Sequence, residues 1–230
     1  MRIIFIRHGE PDYERDCLTE IGREQAKAVA ERLCNEEIDE LWASPLGRAM
    51  ETAREISDKI NMPIKTLDFM QEVDWGSTDG KPLYADGHPW EIADEMARQG
   101  INLNQTDWKE SPFFKTNEVT ACVEKIDIEI DKWLDELGYK REGYYYYHKV
   151  QEEKHRTIVL VSHGGSSAAA MGHILNIPFP LMCALLHIEF TGINIIRFDR
   201  KKGPGTLPCI ELGNDGKHVT EGWNHRLFKK

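Results

Sequence analysis

Two short apolar runs in this 230-residue chain end in the same way. Arg2 to Ile6 leads into Arg7-His8-Gly9-Glu10, and Thr157 to Val161 leads into Ser162-His163-Gly164-Gly165. Neither run alternates apolar with polar residues. Such a run suits a strand buried on both faces, the situation of a parallel sheet with helices on each side. Each strand delivers a histidine and a glycine at its C-terminal end. In open α/β sheets that is the edge at which ligands bind.

The intervening sequence predicts the helices such a sheet needs. Thr19 is placed to cap a helix from Glu20 to about Cys34, with Ile21, Ala28, Val29 and Leu33 on one face. Glu40 to Ala43 reads as a second strand. Ser44-Pro45 ends it and opens a helix near Leu46 that runs to about Ile60, where Pro63 stops it. Ile64 to Leu67 is a third strand. The order β-α-β-α-β predicts a three-layer α/β/α sandwich around a mostly parallel central sheet.

The middle of the chain differs. From Lys81 to Arg156 no long strand is evident. Pro89 to Gln99 and Asn117 to Leu137 read as helices, the second with Val119, Val123, Ile126, Ile130, Trp133 or Leu134, and Leu137 on one face, while Tyr144 to Lys154 is ambiguous between helix and strand. One domain over 1–230 is expected, with 81–156 as a helical insertion covering the site. Ser166 to Leu175 is an alanine-rich helix. Ile188 to Phe198 and Leu207 to Leu212 read as the last strands, joined by a Lys201 to Gly205 turn.

Charge narrows the function. A net charge of −10 disfavours nucleic acid and anionic membranes as partners, but a local Arg/His cluster can still reverse the potential in one pocket. The five cysteines are scattered without a C-x-x-C pair, which predicts reduced thiols in a cytoplasmic protein and no metal site. The N-terminal apolar run is too short for a signal peptide, and no segment is apolar enough to span a bilayer. A homo-oligomer is compatible with the sequence.

If the two His-ended strands are neighbours, His8 and His163 meet. Arg7 is adjacent to His8, and Arg48 lies one turn into the helix after Ser44-Pro45. Two guanidiniums and two imidazoles suit a phosphoryl group, since arginine forks bind its oxygens bidentately and stay charged. His8, kept neutral by these cations, is the expected nucleophile, and His163 the donor to a phosphoryl oxygen. Glu72, in the Gln71 to Gly76 loop, is the expected general acid, with Asp74 as the competing carboxyl. Cys17-x5-Arg23 superficially matches a cysteine-phosphatase loop, but Glu20 would place negative charge in the anion cradle. Tyr144 to Tyr147 reads as a helix face. His148, His155, His218 and His225 are too isolated to argue a metal site.

The ordered set of motifs resembles the histidine phosphatase superfamily, the family often named after phosphoglycerate mutase. The resemblance is carried by Arg7-His8-Gly9-Glu10, Leu18-Thr19-x-x-Gly22-x-x-Gln25-Ala26, Ala43-Ser44-Pro45-Leu46-x-Arg48-Ala49-x-x-Thr52-Ala53, Glu72-x-x-x-Gly76-x-x-x-Gly80 and Val161-Ser162-His163-Gly164-Gly165. It covers residues 1–80 and about 157–175. It implies His8 as the phosphorylated nucleophile, Glu72 as acid/base, and Arg7, Arg48 and His163, with Gly164, around the phosphoryl group. It also implies no metal and no cofactor. In the mutase branch a Ser and then an Asn follow Arg-His-Gly-Glu; here Pro11-Asp12-Tyr13-Glu14-Arg15 follows, which favours a phosphatase acting on a small phosphorylated metabolite. The alternatives are a phosphomutase that needs a bisphosphorylated primer, and a non-catalytic phosphate-ligand sensor or scaffold.

Overall fold

A computed structural model describes residues 1–148, 155–198 and 205–219. Strand β1 (Arg2–Arg7) lies at the centre of a six-stranded sheet. On one side it pairs in parallel with β8 (Thr157–Ser162), which pairs with β4 (Glu40–Ala43), which pairs with β5 (Ile64–Thr66). On the other side β9 (Ile193–Arg197) and then β11 (Cys209–Asp215) add antiparallel pairings. The sheet is therefore mixed but mostly parallel, and the sandwich expected from the β-α-β-α-β order is present.

The pleat explains why β1 is apolar throughout. Ile3 and Phe5 face one core with Ile158, Leu160 and Ile196, while Ile4 and Ile6 face the other with Val159, Val161 and Leu41. Ile3 to Ile6 are all fully buried, and each such side chain contributes about 1.5–3 kcal/mol on burial. Helices α1 (Glu20–Leu33) and α2 (Gly47–Ile60) cover the second face. Helices α3 (Pro89–Arg98), α4 (Glu118–Glu136), α5 (Gly164–Leu175) and α6 (Phe179–Leu185) cover the first.

Local chemistry sets the helix ends. The Thr19 hydroxyl accepts from the Gly22 amide at 3.0 Å, and Asn117 caps α4 from Val119 N at 3.1 Å. Asn61 and Asn176 end α2 and α5 in the left-handed conformation. The expected α1 face is corrected: Gly22, Gln25, Ala26, Val29, Ala30 and Leu33 are buried, whereas Ile21 is exposed. A helix places Ile21 about 100° from Gly22, outside the covered stripe.

Several elements were not foreseen. Within the ambiguous tyrosine segment, β7 (Tyr145–His148) is a strand, not a helix face, paired with β6 (Tyr139–Glu142) and with β10 (Gly205–Thr206). Tyr139 and Tyr146 pack on Phe198, each with ring centroids 5.3 Å apart, and this tertiary contact selects the strand. Helix α6 was not foreseen either, and the strand expected from Ile188 begins only at Ile193, after Thr191 turns the chain at φ +54. The expected Lys201 to Gly205 turn lies, up to residue 204, outside the described residues, and Gly205 opens β10. No single helix among the described residues is long and apolar enough to cross a membrane.

Candidate active site

The ladder brings the two histidines together. Arg7 pairs with Ser162 at the end of the β1–β8 register, and the His8 amide donates to Ser162 O at 2.9 Å. One strand further, Ser44 N donates to Val161 O at 2.9 Å, so β1, β8 and β4 all end on the same edge. The His8 loop is pinned from α1. A Cβ on Gly9 would lie 2.4 Å from Gly22 O, and one on Gly22 would lie 2.1 Å from Glu10 O, so the backbones meet only as glycine on glycine. The Gly9 amide donates to Thr52 Oγ1 at 3.0 Å and the Glu10 amide to Gln25 Oε1 at 2.8 Å, which gives chemical content to two further motif residues.

His8 and His163 are both buried, with ring centroids 5.1 Å apart, edge to face. His8 Nδ1 lies 2.6 Å from Gly9 O, which can only accept, so Nδ1 carries the ring hydrogen. The lone pair is then on Nε2, where Arg48 Nε donates at 3.3 Å. Burial, reinforced by the charges of Arg7 and Arg48, lowers the His8 pKa to about 3 against the bond to Gly9. His163 is likewise driven well below its ordinary value, by burial first and then by His8, Arg48 and Arg7. Its Nε2 is 2.8 Å from Ser44 Oγ, and its Nδ1 is buried without a hydrogen-bond partner.

Arg48 is buried to 8 % exposure and is not a surface helix residue. Its Nη1 donates to Asp16 Oδ1 at 2.5 Å, and Asp16 Oδ2 accepts from the Gly47 amide at 2.6 Å. Burial alone would raise the Asp16 pKa, but the Gly47 amide and Arg48 hold it below its ordinary value. Asp16 was not among the expected site residues. It sits at φ +49 between β2 (Pro11–Asp12) and β3 (Cys17–Leu18) and reaches Arg48 only through the tertiary fold. Ser44 was read only as a helix start; its place beside His163 was equally invisible.

Arg7 Nη1 donates to Ile188 O at 2.8 Å, its guanidinium stacks 4.1 Å over the Phe190 ring, and its Nε is buried without a partner. Glu72 stands beside it. Its Oε1 accepts from Val73 N at 3.0 Å, Gly165 N at 2.9 Å and Ser166 N at 3.1 Å, under the first turn of α5. A Cβ on Gly165 would lie 2.7 Å from that oxygen and 2.3 Å from Val73, so glycine is needed there. Burial raises the Glu72 pKa, opposed by those amides and by Arg7. With three donors on Oε1, Oε2 is the oxygen for a proton. Asp74, the competing carboxyl, is exposed and does not line the cavity. Arg7, Glu72 and Gly164 line a cavity of about 890 Å³ whose other walls include Tyr13, Trp75, His88 and Trp90. The arrangement offers a neutral imidazole lone pair, cations for phosphoryl oxygens and a carboxyl with a raised pKa. The described residues hold no cluster of three or more His, Cys, Asp or Glu side chains that could bind a metal.

The model of the histidine phosphatase superfamily (branch 1) matches residues 3–206. Among curated proteins, an uncharacterised phosphatase of Bacillus subtilis is 32 % identical over 90 residues, covering 35 % of this chain and 47 % of its own. Phosphoserine phosphatase 1 of Hydrogenobacter thermophilus is 32 % identical over 89 residues, covering 35 % and 42 %. These alignments span less than half the length of the relatives. Among solved structures, a phosphoserine phosphatase from Entamoeba histolytica in complex with 3-phosphoglyceric acid superposes with a TM-score of 0.63 at 22 % identity, covering 94 % of this chain and 98 % of that one. A mycobacterial glucosyl-3-phosphoglycerate phosphatase gives 0.63 at 21 %, covering 93 % and 98 %. At such identities the structures speak to the fold alone.

Proposed function

The chain belongs to the histidine phosphatase superfamily, and from that premise we propose that it is a phosphomonoesterase that releases phosphate from a small phosphorylated metabolite through phospho-His8. The observation that carries the reading is the state of His8: a neutral imidazole whose Nε2 lone pair is presented to the Arg48 guanidinium. A phosphoryl group drawn in by Arg48 and Arg7 meets that lone pair in line. The Nε2–P bond forms as the ester P–O bond breaks, and Glu72 gives its Oε2 proton to the departing oxygen. His163 stabilises an equatorial oxygen. In the second step Glu72 takes a proton from water, which attacks phosphorus and returns His8 to its resting state. Gly164, beside the Arg7 guanidinium at the mouth of α5, belongs to the phosphoryl-binding rim.

A phosphomutase would transfer the phosphoryl group to a second hydroxyl, and a Yersinia pestis relative, 30 % identical over 92 residues, is described as a probable phosphoglycerate mutase. The Pro11 to Arg15 sequence favours water as acceptor. Incubation with a panel of phosphomonoesters, without bisphosphorylated primer and with EDTA present, is expected to release inorganic phosphate. Turnover that requires the primer would favour the mutase, restoration only by a divalent ion would contradict the mechanism, and no turnover across the panel would favour a sensor.

A further inference from the structure

The cavity above Glu72 is charged unequally along its length. At the catalytic end stands Arg7, the only lysine or arginine among the described residues that line it. Away from that end the walls carry Glu91 and Asp94 of α3, while Glu189 lies between Ile188 and Phe190, the two residues that hold Arg7. Helix α3 buries Ile92, Ala93 and Met96, and turns Trp90, Glu91, Asp94 and Ala97 toward the cavity at helical spacing. Asp94 is ion-paired with Arg98, which does not line the cavity, and Glu91 lies 3.8 Å from His88 Nδ1. Neither pairing adds a lysine or arginine to the lining.

The same wall is aromatic. The His88 ring stands between two indoles, 5.1 Å from Trp75 at 88° and 5.6 Å from Trp90 at 42°. Trp75 is 40 % exposed, which is unusual for an indole with only packing to do. Indole faces attract cations and tolerate apolar groups, but offer nothing to a carboxylate or phosphate. A second anionic group on the substrate would find repulsion here, whereas a positively charged nitrogen would find both the quadrupole and the carboxylates.

Resting on the phosphomonoesterase reading, we propose that the leaving group of the substrate carries a cationic nitrogen, an amine or quaternary ammonium. It is seated against Trp75, His88 and Trp90 and faces Glu91 and Asp94. The same wall disfavours leaving groups with a carboxylate or a second phosphate.

The test compares isosteres. Phosphocholine and neohexyl phosphate have the same shape, with carbon in place of the ammonium nitrogen in the second. Their affinities for the His8→Ala protein, measured by calorimetry, separate binding from turnover. Phosphocholine is expected to bind about tenfold more tightly than neohexyl phosphate, and more tightly than phosphoglycerate. Glu91→Gln with Asp94→Asn, both at exposed side chains, is expected to shrink the isostere difference to about threefold or less. Equal affinities, tighter binding of phosphoglycerate, or no binding of phosphocholine would overturn the proposal. Phenyl phosphate reports on the underlying reading. His8-dependent hydrolysis of it by the wild type, with no preference between the isosteres, defeats the cation pocket alone. Absence of any hydrolysis alongside a retained preference defeats the hydrolytic reading and keeps the ligand class.

Discussion

One helix, α5, carries a histidine at each end, one buried and one half-buried, and their pKa values are shifted in opposite directions. His163 occupies its N-cap position, near His8, Arg48 and Arg7, and is driven toward the neutral form. His173 lies in its last turn, with Nε2 2.9 Å from Asp131 Oδ2 and Nδ1 3.3 Å from Asp127 Oδ1, both on α4. Burial opposes the charge of His173 too, but the hydrogen bonds its ring donates to Asp127 and Asp131 outweigh it and raise its pKa. The helix macrodipole acts in the same sense at both ends, disfavouring imidazolium at the N-terminus and favouring it at the C-terminus. Burial is common to the two sites, so partner charge decides the sign. A neutral imidazole is a nucleophile or a donor to phosphate; a doubly paired imidazolium is a structural cation.

The contrast is sharpest in activity. His8→Ala is expected to lower kcat/KM by about ten-thousand-fold or more, while His173→Gln leaves it within about threefold, both read as phosphate release. A comparable loss at His173 would erase the distinction. Glu72→Gln is expected to cost about a thousandfold with an alkyl phosphate. The wild-type kcat/KM falls as pH rises through the raised Glu72 pKa, because the acid loses its proton, and that alkaline limb should be missing from the variant.

Stability should show the two signs directly. The folded pKa of His8 is depressed to about 3, so the unfolded chain binds its proton first as pH falls below about 6.5. From pH 7 to pH 5 His8 therefore removes about 2 kcal/mol of stability. The folded pKa of His173 is raised, so its contribution is complete below the unfolded value and fades as pH rises through the folded one. His173→Gln leaves Asp127 with Lys109 at 3.5 Å and Asp131 with Arg141 at 3.7 Å, and is expected to destabilise by about 2 kcal/mol at pH 5 and by less at pH 9. Denaturant melts at several pH values check both slopes; parallel slopes for wild type and His173→Gln would refute the charged cluster. Among the site residues the smallest loss of activity is expected at Ser44. Ser44→Ala removes the 2.8 Å partner of His163 Nε2 and should reduce kcat about tenfold with KM nearly unchanged.

What could be read from the sequence was local or covalently close to the strand ends. Buried strands announce themselves by unbroken apolar runs, so β1 and β8, and with them the positions of His8 and His163, were legible. Arg7, Arg48 and Glu72 followed from the motifs around them, and the structure brings all five to one sheet edge. Asp16 and the bond between Ser44 and His163 were not legible, because each depends on chain segments more than thirty residues apart. The β6–β7 hairpin was hidden for a related reason. Its strands are polar and short, and they form because Tyr139 and Tyr146 find Phe198. The aromatic wall of the cavity was also unread, since Trp75, His88 and Trp90 are unremarkable until α3 is packed against α6.

The most direct test of the neutral, nucleophilic His8 is to trap the protein during turnover. Rapid quenching into alkali, followed by peptide mass spectrometry and phosphorus NMR, should find an acid-labile phosphoryl group on the Nε2 of His8 and none on His163 or His173. A phosphoryl group on any other residue, or steady turnover in which none ever reaches the protein, would contradict the account.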